Sequence, residues 1–275
     1  MYRLLFRSLV LFALVTSAQA ANVPPVSNWT GFYIGANVGG GWGNQSVNYT
    51  PNDPSSAELF VAANGGGPPA TSFSTSGALG GLQAGYNWQT APNWLVGVET
   101  DFDWSAIKGS GSSSYLVFPT SLVLPAASPV DEQTTWFGTV RGRWGYLPTQ
   151  NLLAYLTGGF AYGRIQHNGS YVNNSTTEFG VGTGAQCNPG GAPCYVGSSA
   201  TTAVGWTAGA GLEYAVSQRL SIKAEYLYVS LGSTPLTETA LSLPFLIGTP
   251  PFSTLNANFD RTNFNVVRVG SNFRF

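Results

Sequence analysis

The stretch Trp94-Leu-Val-Gly-Val-Glu-Thr-Asp-Phe-Asp-Trp104 decides the fold class of this chain. Alternate positions carry the two tryptophans and mostly apolar residues between them, while the positions in between include Glu99, Asp101 and Asp103. A period of two is typical of a β-strand, because successive side chains point to opposite faces. A tilted strand of about 9–11 residues crosses a bilayer, and three acids on one face cannot point into lipid. The stretch is therefore interpreted as a transmembrane strand with an apolar outer face and a charged inner face.

The same alternation recurs along the chain and predicts eight strands, at about 30–42, 80–89, 94–104, 134–146, 152–164, 202–214, 220–230 and 264–275. Short connections alternate with long ones, and the long ones cover 44–79, 105–133, 165–201 and 231–263. Because Gly, Ser, Pro, Asn and Thr favour turns and irregular backbone, we expect the long connections to be loops. Short turns at one rim and long loops at the other are typical of outer-membrane barrels. The sequence therefore predicts an all-β, eight-stranded antiparallel up-and-down transmembrane β-barrel with short periplasmic turns and long extracellular loops.

Residues 1–20 are typical of a signal peptide, with Arg3 and Arg7 before an apolar run and Ala18-Gln-Ala20 as the cleavage pattern. We predict a barrel domain of residues 21–275, exported to the cell outer membrane of a Gram-negative bacterium. Only 8% of the chain is charged, against about 25% in soluble domains. Without Arg3 and Arg7, 9 of the 11 basic residues remain against 12 acidic ones. This balance argues against a nucleic-acid partner, which would require a basic surface.

Charged residues at inward positions of five predicted strands form a predicted lumen network. Its members are Glu99, Asp101, Asp103, Arg141, Arg143, Glu213, Lys223, Glu225, Arg268 and Arg274. In an antiparallel ladder, Glu99 and Asp101 can reach Arg141 and Arg143 across neighbouring strands, and Glu225 can reach Arg268. The network is interpreted as a mutually neutralising polar core, with a gated ion path and acid–base chemistry as alternatives. Because side chains can fill an eight-stranded barrel, we expect no large aqueous pore.

The eight tryptophans all fall near predicted strand ends, where amphipathic rings favour the membrane–water interface. They form a predicted aromatic girdle: Trp29, Trp42, Trp88, Trp94, Trp104, Trp136, Trp144 and Trp206. The two cysteines, Cys187 and Cys194, are predicted to form a loop disulfide in an oxidising compartment. We expect no cofactor, metal site or catalytic residues.

His167, the one histidine, falls in the third long connection, where we expect a solvated side chain. Haem ligation through this histidine is the alternative reading. Its pairing with Ser170 is the nearest approach to an esterase arrangement.

Several segments resemble strands of the small "porin family" outer-membrane β-barrel proteins of alphaproteobacteria. They are Asn28-Trp-Thr-Gly-Phe-Tyr-Ile-Gly-Ala-Asn-Val-Gly-Gly-Gly-Trp-Gly43, Trp136-Phe-Gly-Thr-Val-Arg-Gly-Arg-Trp-Gly145 and Asn265-Val-Val-Arg-Val-Gly-Ser-Asn-Phe-Arg-Phe275. The resemblance implies a barrel similar to the membrane domain of outer-membrane protein A. It also implies that Phe275 is the membrane-insertion signal read by the barrel-assembly machinery. Family members are described as porins, surface antigens and haemin-binding proteins, so the family name alone does not give an activity.

The sequence predicts a non-enzymatic structural and surface role in the envelope. A narrow porin-like channel for ions or small solutes is the first alternative. The second is a surface receptor or adhesin, for example for haem, that binds through apolar loop segments such as Tyr115–Phe118 and Leu243–Ile247. The expected partners are outer-membrane lipid and lipopolysaccharide, the barrel-assembly machinery during biogenesis, and a surface partner at the loops.

Overall fold

The computed structural model describes residues 28–54, 56–57, 67–117, 124–173, 179–181, 185–187, 193–240 and 254–275. The predicted signal segment, residues 1–20, lies outside this part of the chain. The described residues contain twelve strands: β1 (Gly31–Pro51), β2 (Thr71–Ala91), β3 (Trp94–Val117), β4 (Leu124–Thr149), β5 (Leu152–Asn173), β6 (Phe179–Val181), β7 (Ala185–Cys187), β8 (Pro193–Ala215), β9 (Leu220–Leu231), β10 (Pro235–Ala240), β11 (Thr254–Phe259) and β12 (Asn263–Arg274). Among these residues, no helix is long and apolar enough to cross a membrane.

The strands close a ring through antiparallel pairing in the order β1–β2–β3–β4–β5–β8–β9–β12, and β12 pairs with β1. This confirms the predicted eight-stranded up-and-down architecture. Towards the long-loop rim, β9 and β12 end and β10 and β11 take their places, because β10 pairs with β8 and β11 with β1. β6 and β7 form a separate two-stranded sheet.

Many residues predicted to be loops are strand. β1 continues to Pro51, β2 begins at Thr71, β3 runs to Val117 and β5 to Asn173. The period of two persists in these extensions, but its polarity is inverted. Val47 and Phe73 are buried inside while Asn48 and Ser72 are exposed outside. The composition rule was wrong here because serine, threonine and asparagine cover a wall that faces water, rather than forming turns.

Nearer the short-turn rim, the outer wall is apolar. Large side chains such as Val38, Leu82 and Val204 are more than half exposed there. Tryptophans frame this band; Trp94 and Trp144 stack with ring centroids 5.2 Å apart at the short-turn rim. Trp136, at the other edge, stacks on Phe102 at 5.4 Å.

Trp29 is a correction to the predicted girdle, because its side chain lies inside the barrel and is 1% exposed. Its ring nitrogen donates to the carbonyl oxygen of Gln150 at 2.9 Å. The residue precedes β1, so the strand alternation does not fix its direction, and the chain folds back into the mouth of the barrel. The guanidinium of Arg274 lies over the ring at 4.4 Å.

Side chains fill the interior in layers that follow one another along the strands. The lower apolar layer, at the short-turn rim, consists of Trp29, Leu95, Leu147, Leu153, Tyr155 and Ala215. The charged layer follows. The middle apolar layer consists of Leu79, Ile107, Phe137, Ala161, Ile165, Ala203, Leu227, Val229, Leu231, Phe264 and Val266. Beyond a polar layer of Glu132, His167, Thr234 and Thr262 lies the upper apolar layer, formed by Val47, Tyr49, Phe73, Ala126, Val130, Tyr171, Cys194, Tyr195, Leu236, Ala240, Leu255, Ala257 and Phe259.

Candidate functional site

The charged layer is the candidate site, and alternate positions of β3, β4, β8, β9 and β12 supply it. Each member is at most 3% exposed: Glu99, Asp101, Asp103, Arg141, Arg143, Glu213, Lys223, Glu225 and Arg268. The ladder sets their contacts, because Glu99 lies directly opposite Arg141 and Glu225 directly opposite Arg268. Buried charges of this number are tolerated only when they are paired and hydrogen-bonded.

Arg141 is the first hub of the layer, because its guanidinium contacts three acids. Its Nη2 lies 2.6 Å from Glu99 Oε1 and 2.7 Å from Asp101 Oδ2, and its Nη1 lies 3.1 Å from Glu225 Oε1. Its Nε donates to Thr139 Oγ1 at 2.9 Å. The planar fork of donors is what allows one side chain to hold several carboxylates at once.

Arg268 is the second hub and approaches from the opposite wall. Its Nη1 lies 2.6 Å from Asp103 Oδ2, and its Nη2 lies 2.6 Å from both Asp101 Oδ2 and Glu225 Oε2. The two arginines therefore share Asp101 and Glu225, which ties β3, β4, β9 and β12 together through the lumen.

Arg143 extends the network towards the short-turn rim. Its Nη2 lies 2.7 Å from Glu213 Oε2, and its Nη1 donates to Tyr33 Oη at 2.7 Å. Tyr33 in turn donates to Glu99 Oε2 at 2.7 Å. The guanidinium also lies over the ring of Tyr155, 4.0 Å from its centroid, in a favourable cation–π position.

The two tyrosines were missed by the sequence analysis, although period-two alternation places both on the inner face. Tyr33 occupies space left by Gly85, and Tyr155 occupies space left by Gly211, where a Cβ atom would collide with the ring. The inward glycines thus make room for aromatic rings that complete the network. Tyr155 donates to Glu225 Oε1 at 3.0 Å.

Arg274 is placed differently from the rest of the predicted network. It is inside the barrel and 5% exposed, but no ion pair joins it to an acid among the described residues. Its Nη2 donates to the backbone oxygen of Ser217 at 3.3 Å. Arg274 therefore closes the short-turn mouth together with Trp29, rather than joining the charged layer.

His167 is a second correction, because it lies on β5 with a side chain that is 0% exposed. Its Nε2 is 2.7 Å from Thr234 Oγ1, its Nδ1 is 3.7 Å from Glu132 Oε2, and its ring packs on Phe259 at 3.9 Å. Ser170 is three residues further along the strand and therefore points to the opposite face. The wall of the barrel separates the histidine–serine pair, so the esterase arrangement is wrong. No group of three or more His, Cys, Asp or Glu side chains within the described ranges is arranged to hold a metal ion.

Cys194 is disulfide-bonded. The side chain of Cys187, the other cysteine of the chain, lies outside the described part of the structure, and the pairing of the two stays a prediction.

Three buried titratable groups lie beyond the middle apolar layer, towards the long-loop rim. Burial raises the pKa of Glu132 to about 7, against a hydrogen bond from Thr262 that lowers it. Burial also lowers the pKa of His167 to about 4 and raises the pKa of Glu238 to about 8. Both carboxylate oxygens of Glu238 are buried without a hydrogen-bond partner. His167 and Glu238 are therefore mostly neutral near pH 7, whereas Glu132 is about half protonated there, as expected for groups without a charged partner in an apolar interior.

Glu238→Gln is expected to change how stability depends on pH. In the folded barrel this carboxyl keeps its proton to about pH 8, whereas in the unfolded chain it loses it near its ordinary pKa of about 4.3. Wild-type stability is therefore highest below that ordinary pKa and falls as the pH rises towards the folded value. At pH 9 the variant should be more stable by about 2–4 kcal/mol, and at pH 4 nearly unchanged.

Urea unfolding in detergent, followed by tryptophan fluorescence at both pH values, measures this difference. Asp260→Asn, at an exposed acid, is the matched control and should leave the pH dependence unchanged. Equal pH dependence in Glu238→Gln and wild type would contradict the burial of a protonated carboxyl.

Comparison with known proteins gives a consistent result. A family model for the outer membrane protein beta-barrel domain matches residues 8–275. The 31 kDa outer-membrane immunogenic protein of Brucella melitensis is 35% identical over 268 residues, which cover 95% of this chain and 90% of that protein. The 22 kDa outer membrane protein of Rhizobium leguminosarum bv. viciae is 27% identical over 78% of this chain and 71% of its own length. Among solved structures, the outer membrane protein OprG from Pseudomonas aeruginosa aligns with a TM-score of 0.50 at 13% identity, covering 90% of this chain and 96% of OprG.

Proposed function

The chain belongs to the outer membrane protein beta-barrel domain family and lies in the Gram-negative outer membrane. On this premise we propose that it is a closed, non-enzymatic barrel with a structural and surface role. Its strands anchor it in lipid, and the extensions of the strands form an extracellular section of the barrel above the outer leaflet. Buried side chains fill the lumen along both the membrane section and these extensions. Such a barrel is a structural and surface component of the envelope that does not let solutes cross the membrane.

The middle apolar layer is the observation that carries this proposal. Phe137 and Phe264 meet across the lumen in an edge-to-face contact with centroids 5.3 Å apart, and both are at most 1% exposed. Leu227 and Val266 pack beside them and are fully buried. An ion would have to shed its water to cross a dry apolar constriction, which is how hydrophobic gates block conduction.

The charged layer supports the same proposal. A conducting path needs charges that ions can pair with transiently, whereas Arg141 and Arg268 each hold three acids at close range. Displacing any one of these partners would expose a buried charge at a cost of several kcal/mol. A narrow channel would therefore require a rearrangement of both layers.

A non-enzymatic role is supported by the side chains that face the interior. The titratable groups pair with one another or are packed among apolar residues. The Brucella relative is named an immunogenic protein, which suits a surface-exposed structural barrel. We also propose that the assembly machinery reads Phe275, whose ring is 71% exposed beside Phe32 at the short-turn rim.

A strain that lacks the gene distinguishes the structural role from a channel. The proposal expects a leakier envelope, measured as increased sensitivity to detergent and to large antibiotics, with unchanged uptake of small solutes. Complementation with the wild-type gene should restore resistance. Slower uptake of small ions or sugars in the deletion strain, with an intact barrier, would favour the channel instead.

A further inference from the structure

We propose that the outer wall over β3, β4 and β5 binds the phosphorylated glycolipid of the outer leaflet, with Lys108 and Arg164 on its phosphates and the Ser110–Asp131–Asn168 row on its sugars. This inference rests on the outer-membrane location of the chain. It does not depend on whether the lumen conducts.

The wall is built in three tiers that follow one another above the membrane. The lowest tier is aromatic, with Trp104 directly opposite Trp136 and the ring of Tyr162 beside Trp136 at 6.1 Å. This tier marks the upper edge of the apolar band, where acyl chains end. Among the described side chains of β3, β4 and β5, the tiers above it contain no exposed large apolar residue until Leu116, and the outward Val172 near the same end is half-buried.

The second tier is basic. Lys108 is exposed on β3, and Arg164 lies half-buried on β5 opposite Trp136. The row of Lys108 continues through Gln133 to Gln166, two residues further along β5 than Arg164. The two bases are therefore about 10 Å apart across the strands and about 7 Å apart along them, or about 12 Å in all, a span that two long side chains can bridge from both ends. Among the described residues, neither Lys108 nor Arg164 forms an ion pair with an acid, whereas the arginines of the charged layer do. The two side chains are therefore available to anionic groups just above the acyl region.

The third tier is a ready-made polar groove of about 460 Å³. Ser110, Asp131, Asn168 and Ser198 are successive cross-strand partners on β3, β4, β5 and β8. Asn168 Nδ2 donates to Asp131 Oδ2 at 2.8 Å, and Ser198 Oγ donates to Asn168 Oδ1 at 2.9 Å. The row thus holds its amide and carboxylate in fixed orientations, with lone pairs and hydroxyls still open to the groove.

The order of these tiers matches the order of groups in an outer-leaflet glycolipid: acyl chains, then phosphates on the first sugars, then further sugars. Ser110 follows Lys108 by two residues, about 7 Å along the strand, which is about one sugar ring. A sugar hydroxyl can both donate and accept hydrogen bonds. It can therefore donate to the carboxylate of Asp131 and can exchange hydrogen bonds with the amide of Asn168 and the hydroxyl of Ser110. A phospholipid would satisfy the bases but leave the groove empty. A soluble glycan would not use the aromatic tier.

Binding of purified lipopolysaccharide to the refolded full-length protein tests the proposal. The double variant Lys108→Ala/Arg164→Ala should weaken binding by about tenfold or more, because both charge-assisted hydrogen bonds to phosphate are lost. Arg261→Ala is the matched control, because Arg261 is an exposed base between β11 and β12, on the opposite side of the ring from β4. Folding of every variant is verified by its band shift on unheated gels.

Two further arms separate the tiers. Enzymatic removal of the lipid phosphates should weaken wild-type binding to the level of the double variant, and Asn168→Ala should weaken binding of intact lipopolysaccharide but not of phosphatidylglycerol. An equal loss in Arg261→Ala would show a general charge effect and overturn the site. Equal affinity for phosphatidylglycerol, or wild-type binding by Asn168→Ala, would overturn the sugar groove.

Discussion

Arg141→Ala is expected to lower the free energy of unfolding by about 3–5 kcal/mol, the usual cost of removing one partner from a buried ionic network. The substitution would leave Glu99, Asp101 and Glu225 without the guanidinium that lies 2.6 to 3.1 Å from them. Lys223 and Arg268 remain within reach of these acids but are already paired. We expect most of the variant to stay unfolded in urea concentrations at which the wild type refolds.

Urea titration in detergent, with the heat-dependent gel shift as a second readout, measures the loss. Arg141→Lys should give an intermediate value, because an ammonium restores the charge but not the planar fork. Val140→Ala, one residue away on the lipid side, should lose much less. If Arg141→Ala and wild type unfold at the same urea concentration, the network does not hold the barrel together.

Val140→Arg is expected to destabilise the inserted barrel by about 2–4 kcal/mol, the cost of a basic side chain on the lipid face near the bilayer midplane. Val140 is 53% exposed and lies beside Arg141 on β4, so the two neighbours face opposite environments. The outward position leaves the new charge with hydrocarbon and without an acid. Because neighbouring positions of a strand face opposite sides, an arginine stabilises the barrel at position 141 and destabilises it at position 140.

Ser72→Arg provides the control, because Ser72 is exposed on the part of β2 that extends above the aromatic tier. It should change stability by no more than about 0.5 kcal/mol. Unfolding from phospholipid vesicles is the appropriate measurement, since detergent reduces the penalty for an exposed charge. A harmless Val140→Arg would place the lipid boundary elsewhere on the wall.

Alternation in the sequence was sufficient to predict the ring, because each strand with apolar side chains towards lipid and polar, charged or small residues towards the lumen carries a period of two. Strand lengths were not predicted. The extensions keep the period, but their outward residues are serine, threonine and asparagine, which composition rules associate with turns. A search that also accepted strands with an apolar inner face and a polar outer face would have recognised segments such as 71–76, since Phe73 points inward between Ser72 and Ser74.

The cross-strand pairs of the charged layer were predictable for a geometric reason. Once β3 and β4 are antiparallel neighbours, Glu99 and Asp101 lie within reach of Arg141 and Arg143, and the observed register sets Glu99 directly opposite Arg141. Contacts across the lumen follow from the closure of the whole barrel, so Arg268 with Asp103, 165 residues apart, was beyond local reasoning. His167 was misplaced for the same reason that the strands were cut short, and Trp29 because no alternation governs a residue before the first strand.

The packed lumen is the central claim, and planar-bilayer conductance of the refolded wild-type protein tests it most directly. Insertion should first be verified independently, by protease protection of the membrane section and by the gel shift of protein recovered from the bilayer lipid. Because Phe137 and Phe264 close the lumen above a layer of fully paired charges, we predict no current above the bare membrane from a verified inserted barrel. Reproducible unitary steps from the same preparation would contradict the closed lumen and establish a channel.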